Sequence, residues 1–201
     1  MLYYGMKLER ERLKGLISAV LSQAGQVPKM KLAKLILLAE IEYYKKAGKS
    51  ITGLYFLRLT YGPVIAFFDE ALNEGIDILW TKETSDVHES GRQGKQYSYR
   101  CINKDTVPPV STPHAELWSE VQETITSVVY KYGGMTGMEL SNISHKLPAW
   151  RYSEPNEPIY VSELAIDTEE KYFAMLDIVE EMEEMEDDSL EEKLFRTLQN
   201  T

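Results

Sequence analysis

The chain has 201 residues, a formal net charge of −10 and one cysteine, Cys101. A single cysteine excludes an intramolecular disulfide framework and fits a reducing cytoplasm. No apolar stretch is long enough to cross a bilayer, and the N-terminal residues lack the apolar run of a secretory signal peptide. We therefore expect a cytoplasmic protein that consists of one ordinary domain with an appendage.

The N-terminal part of the chain predicts two helices. Apolar residues from Leu13 to Leu21 form a helical stripe that ends near Gly25. The second helix contains Pro28 in its first turn and ends at Gly48, a residue type that suits the left-handed closing position. Its apolar residues recur at steps of three and four, which places them on one face: Leu32, Leu35, Ile36, Ala39 and Tyr43.

The turn Tyr61-Gly62-Pro63 follows that helix after a short connector. Gly62 suits an N-cap, and Pro63 suits the first residue of a third helix, which we expect to end near Gly75. Val64, Phe67, Phe68, Ala71 and Leu72 would form its apolar face. Core packing does not require an aromatic residue in the turn. The Tyr61-Gly62-Pro63 turn is therefore the part of this segment that we expect to face a partner.

Two short β-prone segments, Ile76–Trp80 and Tyr97–Ile102, predict a hairpin. The polar stretch between them, TKETSDVHESGRQGK, predicts a long loop. Residues 103–113 contain three prolines and predict a linker.

The next segments predict two helices and a loop. An amphipathic stripe predicts a helix over 115–132, which Gly133-Gly134 closes. Thr136 and Glu139 have the spacing of a capping box, which opens a short helix through Ile143. Leu147 to Pro158 predicts a proline-punctuated loop that carries Trp150 and Tyr152.

Negative charge is concentrated at the C-terminal end. Between Asp167 and Glu192 the chain has 13 acidic residues and one base, Lys171. Apolar residues at helical spacing predict a docked helix over 168–185, opened by an Asp167-x-x-Glu170 capping box and followed by an acidic end. Acidic residues such as Glu180 and Glu184 would meet a basic surface of a partner and steer association.

No motif predicts an enzyme, a metal site or a bound cofactor. Ser144 and His145 are sequence neighbours, and neighbouring residues of a helix do not face each other. The chain lacks the histidine and cysteine spacings of zinc sites and the acidic loop of calcium sites. Glycines 133, 134 and 137 lack the Lys-Ser/Thr ending of a phosphate-binding loop and instead suit the end of one helix and the start of the next.

DNA binding is an alternative with less support. Helices 115–132 and 137–145 have the spacing of a helix-turn-helix, and the predicted hairpin could form a wing. The second helix, however, offers only Lys146 to phosphates, and the chain is acidic. Because phosphate neutralisation dominates DNA affinity, we expect no strong DNA binding.

Several segments resemble the Panacea domain of SocA-like, phage-associated antitoxins over roughly residues 5 to 165. The resemblance lies in KLAKL, EIEYYKKAGKSITGL and TYGPV, and then in Ser144-His145, Pro148-Ala149-Trp150 and Glu157-Pro158-Ile159. It implies a mainly helical domain without catalytic residues that binds and neutralises a toxin protein. SocA-like relatives imply a second possibility, an adaptor that delivers a toxin to a AAA+ protease.

The sequence thus predicts a mainly α-helical α+β protein. Residues 1–166 would form a compact Panacea-like helical domain with a small β-hairpin, and residues 167–201 an acidic C-terminal helix and tail. We expect a binding protein, not an enzyme. Its predicted partner-binding residues are Tyr61, Gly62, Pro63, Trp150, Tyr152, Glu180 and Glu184.

Overall fold

The computed structural model describes the backbone of residues 2–89, 92–102 and 115–185, and the side chains of residues 7–86, 94–102 and 118–180. Its helices are α1 (Leu2–Ala24), α2 (Lys29–Ala47), α3 (Phe68–Glu74), α4 (Ala115–Tyr132), α5 (Gly137–Ser144), α6 (Pro148–Tyr152), α7 (Val161–Leu164) and α8 (Glu169–Met185). Its strands are β1 (Val27–Pro28), β2 (Phe56–Leu57), β3 (Val64–Ile65), β4 (Trp80–Glu89), β5 (Arg92–Cys101) and β6 (Pro158–Ile159). The prediction of a mainly helical α+β fold is confirmed.

Helix α2 is the central element of the core. It packs against α1, α4, α5 and α7, because apolar residues occupy more than one of its faces. Gly48 closes the helix in the left-handed conformation (φ 67°), and its N–H donates to the carbonyl of Tyr44 at 2.8 Å. This end was predicted correctly. Pro28 lies one residue earlier than expected, at the N-cap, where it also belongs to β1.

The prediction of a third helix from Pro63 is wrong at its start. Val64 and Ile65 form β3, which pairs antiparallel with Phe56–Leu57, and β2 pairs in turn with β6. The β2–β3 pairing is local, but β6 lies about a hundred residues further along the chain, and the local pattern could not reveal that pairing. Gly62 has φ +91°, and α3 begins only at Phe68. The predicted end is correct, since Gly75 is the C-cap.

The predicted long hairpin loop is also wrong. Strands β4 and β5 pair continuously from Trp80 opposite Cys101 to Glu89 opposite Arg92, and β1 completes this sheet in the order β1-β5-β4. Residues 81–89 and 92–95, which suggested a loop, lie instead in these strands, and the described side chains among them are exposed. Of the predicted first strand only Trp80 is in a strand, and the predicted linker over 103–113 lies outside the described residues.

The C-terminal half follows the prediction in α4, α5 and the span of α8, but not in α6 and β6. Thr136 and Glu139 form the predicted capping box at the start of α5. Residues 148–152, predicted as loop, form α6 with Pro148 in its first turn. Helix α8 matches the predicted span, but its start is capped by the hydroxyl of Thr168, which accepts from the N–H of Lys171 at 3.3 Å. The acidic segment after Met185 lies outside the described residues, and no helix among the described ones is long and apolar enough to span a bilayer.

Candidate functional site

The turn Tyr61-Gly62-Pro63 lies tightly against α2 and α5. A Cβ atom on Gly62 would lie 2.7 Å from Nζ of Lys34 and closer still to Oγ of Ser144. The φ of +91° at Gly62 is also one that residues with a side chain rarely adopt. The position therefore requires glycine for two independent reasons, space and backbone conformation.

Three buried polar side chains lie under the turn, and two of them donate hydrogen bonds to it. Nζ of Lys34 donates to the carbonyl of Pro63 at 2.8 Å, and Oγ of Ser141 donates to the carbonyl of Tyr61 at 2.8 Å. Oγ of Ser144 donates to the carbonyl of Ser141, also at 2.8 Å. All three residues are at most 1% exposed. Together with Tyr61–Pro63 they form what we call the turn cluster, in which the path of the turn is fixed by hydrogen bonds.

Burial has a clear electrostatic effect on Lys34. Desolvation lowers its pKa from 10.5 to about 7, because the charged ammonium loses water without gaining a carboxylate. Among the described residues it makes one side-chain hydrogen bond, which uses one of its three ammonium donors. The turn cluster therefore contains a lysine whose positive charge, when present, is not balanced by a neighbouring carboxylate in the part of the chain that the structure describes.

Trp150 lies beside the turn cluster, as the sequence-based hypothesis requires. Its Nε1 donates to the carbonyl of Leu59 at 2.9 Å, and its ring stacks on His145 with centroids 4.0 Å apart. The guanidinium of Arg58 lies 4.7 Å from the centre of the same ring. Burial, followed by the nearby Lys34 charge, lowers the pKa of His145.

The remaining predicted site residues lie on a second surface. Tyr152 is 44% exposed and contacts Phe173 of α8 edge-to-face, with ring centroids 4.9 Å apart. Glu180 is exposed on α8, and the side chain of Glu184 lies outside the described residues. The structure thus brings Trp150 to the Tyr61 turn, while Tyr152 and Glu180 belong to the α6–α8 region.

A scan against family models matches residues 32–151 to the family described as "Antitoxin SocA-like, Panacea domain". The chain belongs to this family. The match includes every residue of the turn cluster and Trp150, and it ends before α7 and α8. The search of curated proteins and the search of solved structures each returned no match.

Sequence reasoning missed the buried polar residues of this Panacea domain. Lys34, Ser141 and Ser144 lie under the turn, and Glu40 is fully buried in the middle of α2. The signal was present in the sequence, since Lys34 and Glu40 interrupt the apolar run LAKLILLAEI. A charge buried in such a run costs free energy unless it is hydrogen-bonded. A charged residue inside a run that is apolar on all sides predicts a buried hydrogen-bonding role.

Glu40 holds the connector between α2 and β2. Its carboxylate accepts hydrogen bonds from the N–H groups of Ile51 and Thr52, each at 2.9 Å, and from the hydroxyls of Ser50 and Thr52. Desolvation raises its pKa even though these hydrogen bonds oppose the shift. Glu40 therefore fixes the segment that leads to the Tyr61 turn.

The polar residues near His145 do not form a catalytic arrangement. Nε2 of His145 lies 3.4 Å from Oγ of Ser141, but that hydroxyl is fully buried and donates its proton to the Tyr61 carbonyl. Ser144, the neighbour of His145 in sequence, donates to a backbone carbonyl instead. Among the described residues no group of three or more His, Cys, Asp or Glu side chains could hold a metal ion. The chemistry of the cluster is that of a structural support.

Proposed function

We propose that this protein is a cytoplasmic antitoxin that neutralises a cognate toxin by direct protein–protein contact and not by catalysis. The observation that carries the proposal is the Tyr61 turn. Its backbone is fixed by Lys34 and Ser141, while the side chain of Tyr61 remains 56% exposed. Family membership supplies the class of partner, a toxin protein.

The geometry of the turn favours a binding role. An exposed tyrosine offers a large apolar ring and a polar hydroxyl, and such residues are frequent at interface hot spots. Because the turn is already ordered by buried hydrogen bonds, binding would cost little backbone entropy. Tyr61 would then be the contact residue of a preorganised turn, in which the buried Gly62 and Pro63 fix the backbone and Trp150 supports it from the side.

We assign a secondary role to the α6–α8 region. Tyr152 and the acidic residues Glu180 and Glu184 would contact the toxin at the rim of the interface, where charge affects association rate more than affinity. In this arrangement residues 1–166 form the Panacea domain, and residues 167–201 form an acidic helix and tail attached to it.

Coexpression with the product of an adjacent open reading frame tests this function. We expect one neighbouring product to arrest growth alone and to be tolerated with this protein, while toxin levels on an immunoblot stay unchanged. A toxin that disappears on coexpression would indicate delivery to a AAA+ protease in place of occlusion. The proposal fails if the neighbouring products are harmless, or if a toxic one is not relieved.

A further inference from the structure

A large open groove runs beside the turn cluster. It is bounded by the start of α2, by β2 and β3 with the Tyr61 turn, by β5 and by the turn between α4 and α5. Its volume is about 1380 Å³. Small-molecule pockets have volumes of about 300–1,000 Å³, so the groove has room for a segment of polypeptide. We call it the α2 groove.

The α2 groove is positively charged on an acidic protein. Five basic side chains and two carboxylates line it: Lys29, Lys31, Lys34, Arg58 and Lys95, with Asp69 and Glu70. Lys34 is buried and its pKa is lowered to about 7, so it is left out of the charge. The other four cations and the two carboxylates give a net charge of +2, against −10 for the whole chain. This is the opposite charge to that of α8, so the protein presents two surfaces of opposite sign.

Most of this positive charge has no carboxylate partner among the residues that the structure describes. Lys29 pairs with Asp69 at 2.7 Å, whereas Lys31 donates to the carbonyl of Gly133 at 2.5 Å. Arg58 and Lys34 also bond to backbone carbonyls. In the part of the chain that the structure describes, Lys29 alone of the five has a carboxylate partner. The charge is therefore available to an acidic ligand.

The walls of the groove also offer apolar contacts. Tyr61 and Met138 line it and are 56% and 52% exposed. Methionine adapts to differently shaped apolar partners, and tyrosine is a frequent interface anchor. Phe67 lines the groove in a left-handed conformation (φ 59°), which is costly for a bulky residue and typical of binding sites. Nucleic acid presents phosphates and not apolar side chains, so this lining favours a peptide.

We propose that the α2 groove receives an acidic, apolar segment of the partner protein, with its carboxylates near Lys31, Arg58 and Lys95 and an apolar side chain between Tyr61 and Met138. The identification of that partner as the toxin rests on the proposed function. The groove itself is defined without it.

Fluorescence anisotropy with the full-length protein tests this inference. The probe is a labelled peptide that alternates Glu with Leu and Phe, and the comparison peptides carry Gln or Lys in place of Glu. We expect the acidic peptide to bind about tenfold more tightly than the Gln peptide, in keeping with one or two close charge pairs. Equal binding of the three peptides, or no measurable binding of the acidic one, would overturn the proposal.

Matched variants locate the contact. Lys95→Glu removes a groove cation whose side chain has no hydrogen bond to lose among the described residues. We expect it to lower the affinity for the acidic peptide about tenfold. Lys49→Glu makes the same charge change at an exposed position outside the groove, and we expect no effect. Equal effects of both variants would contradict a groove site.

Two further outcomes distinguish this inference from nucleic-acid binding and from the antitoxin proposal. The first is that single-stranded DNA binds the wild-type protein more tightly than the acidic peptide does, and that this binding depends on Lys95. This result would identify the ligand as a nucleic acid and overturn the proposal. The peptide assay contains no toxin, so its failure leaves the antitoxin proposal standing. Conversely, failure of the coexpression test would leave a positive peptide result intact.

Discussion

The Tyr61 turn and helix α8 are two exposed surfaces that the fold supports in different ways. The turn is fixed from below by hydrogen bonds from the buried Lys34 and Ser141, and the buried Ser144 packs against Gly62. Helix α8 buries Tyr172 and Met175, whereas Asp177 and Glu180 on it are exposed and Glu169 forms an ion pair with Arg151 at the surface. A rigid surface suits affinity and specificity, whereas a charged solvated one suits attraction at a distance. The first four predictions test this difference.

The largest expected effect is the loss of stability on Gly62→Ala. The new Cβ would clash with Ser144 and Lys34 and would force alanine to adopt φ +91°. We expect a loss of about 3 kcal/mol in the free energy of unfolding, since overpacking and a left-handed residue each cost about 1–3 kcal/mol. Urea denaturation measures it.

Gly25→Ala is the matched control. Gly25 also has a positive φ, +76°, but a Cβ there would meet no atom within 4 Å. We expect a loss of about 1 kcal/mol from backbone conformation alone. If both variants lose the same free energy, the turn is not packed as tightly as described.

The second prediction concerns the pH dependence of stability. The pKa of Lys34 is 10.5 in the unfolded chain and about 7 in the folded protein, so between these values the unfolded state binds more protons. Stability from this residue therefore rises with pH. Relative to Lys34→Met, wild type should gain about 2 kcal/mol between pH 7 and pH 9. Urea titrations at both pH values measure the gain, and a difference that does not change with pH would contradict the buried, uncompensated ammonium.

The third prediction separates binding from stability at the turn. Tyr61→Ala removes an exposed ring and should leave the free energy of unfolding nearly unchanged. It should weaken toxin binding about tenfold, as expected for an interface anchor. Titration calorimetry with the purified toxin measures the affinity. Tyr130→Ala, at a tyrosine that is 93% exposed on α4, is the control, and equal losses in both variants would remove Tyr61 from the interface.

The fourth and smallest effect concerns α8. Glu180→Lys reverses an exposed charge and should slow association with the toxin a few-fold at low salt, with little change in dissociation. Stopped-flow mixing at two ionic strengths measures both rates. Glu123→Lys makes the same change on α4. A rate that is unaffected by Glu180→Lys, or affected equally by both variants, would argue against steering by α8.

The features that sequence predicted well are those with local causes. Periodicity and a terminal glycine determine α2 and its end at Gly48, and the Thr136 capping box determines the start of α5. Strand β3 could not be predicted, because Val64 and Ile65 become extended by pairing with Phe56–Leu57, whose other edge pairs with residues about a hundred positions away.

The sequence pointed to the aromatic residues of the candidate site but not to the buried polar residues beneath the turn. Tyr61 and Trp150 were identified as aromatic residues at element ends, and the structure brings both to one region. The support from Lys34, Ser141 and Ser144 depends on how α2 and α5 meet, which no local pattern contains. A lysine in an apolar run predicts a buried hydrogen bond, but the sequence does not show which carbonyl accepts it.

Site-specific photocrosslinking tests the central claim, that the Tyr61 turn is the toxin contact. A benzoyl-phenylalanine is introduced in separate full-length variants at Tyr61, at the half-exposed Phe173 of α8 and at the exposed Tyr130 of α4. We predict strong crosslinks to the toxin from position 61, weak ones from position 173 and none from position 130. Crosslinks from position 173 in the absence of any from position 61 would contradict the assignment and place the toxin on α8.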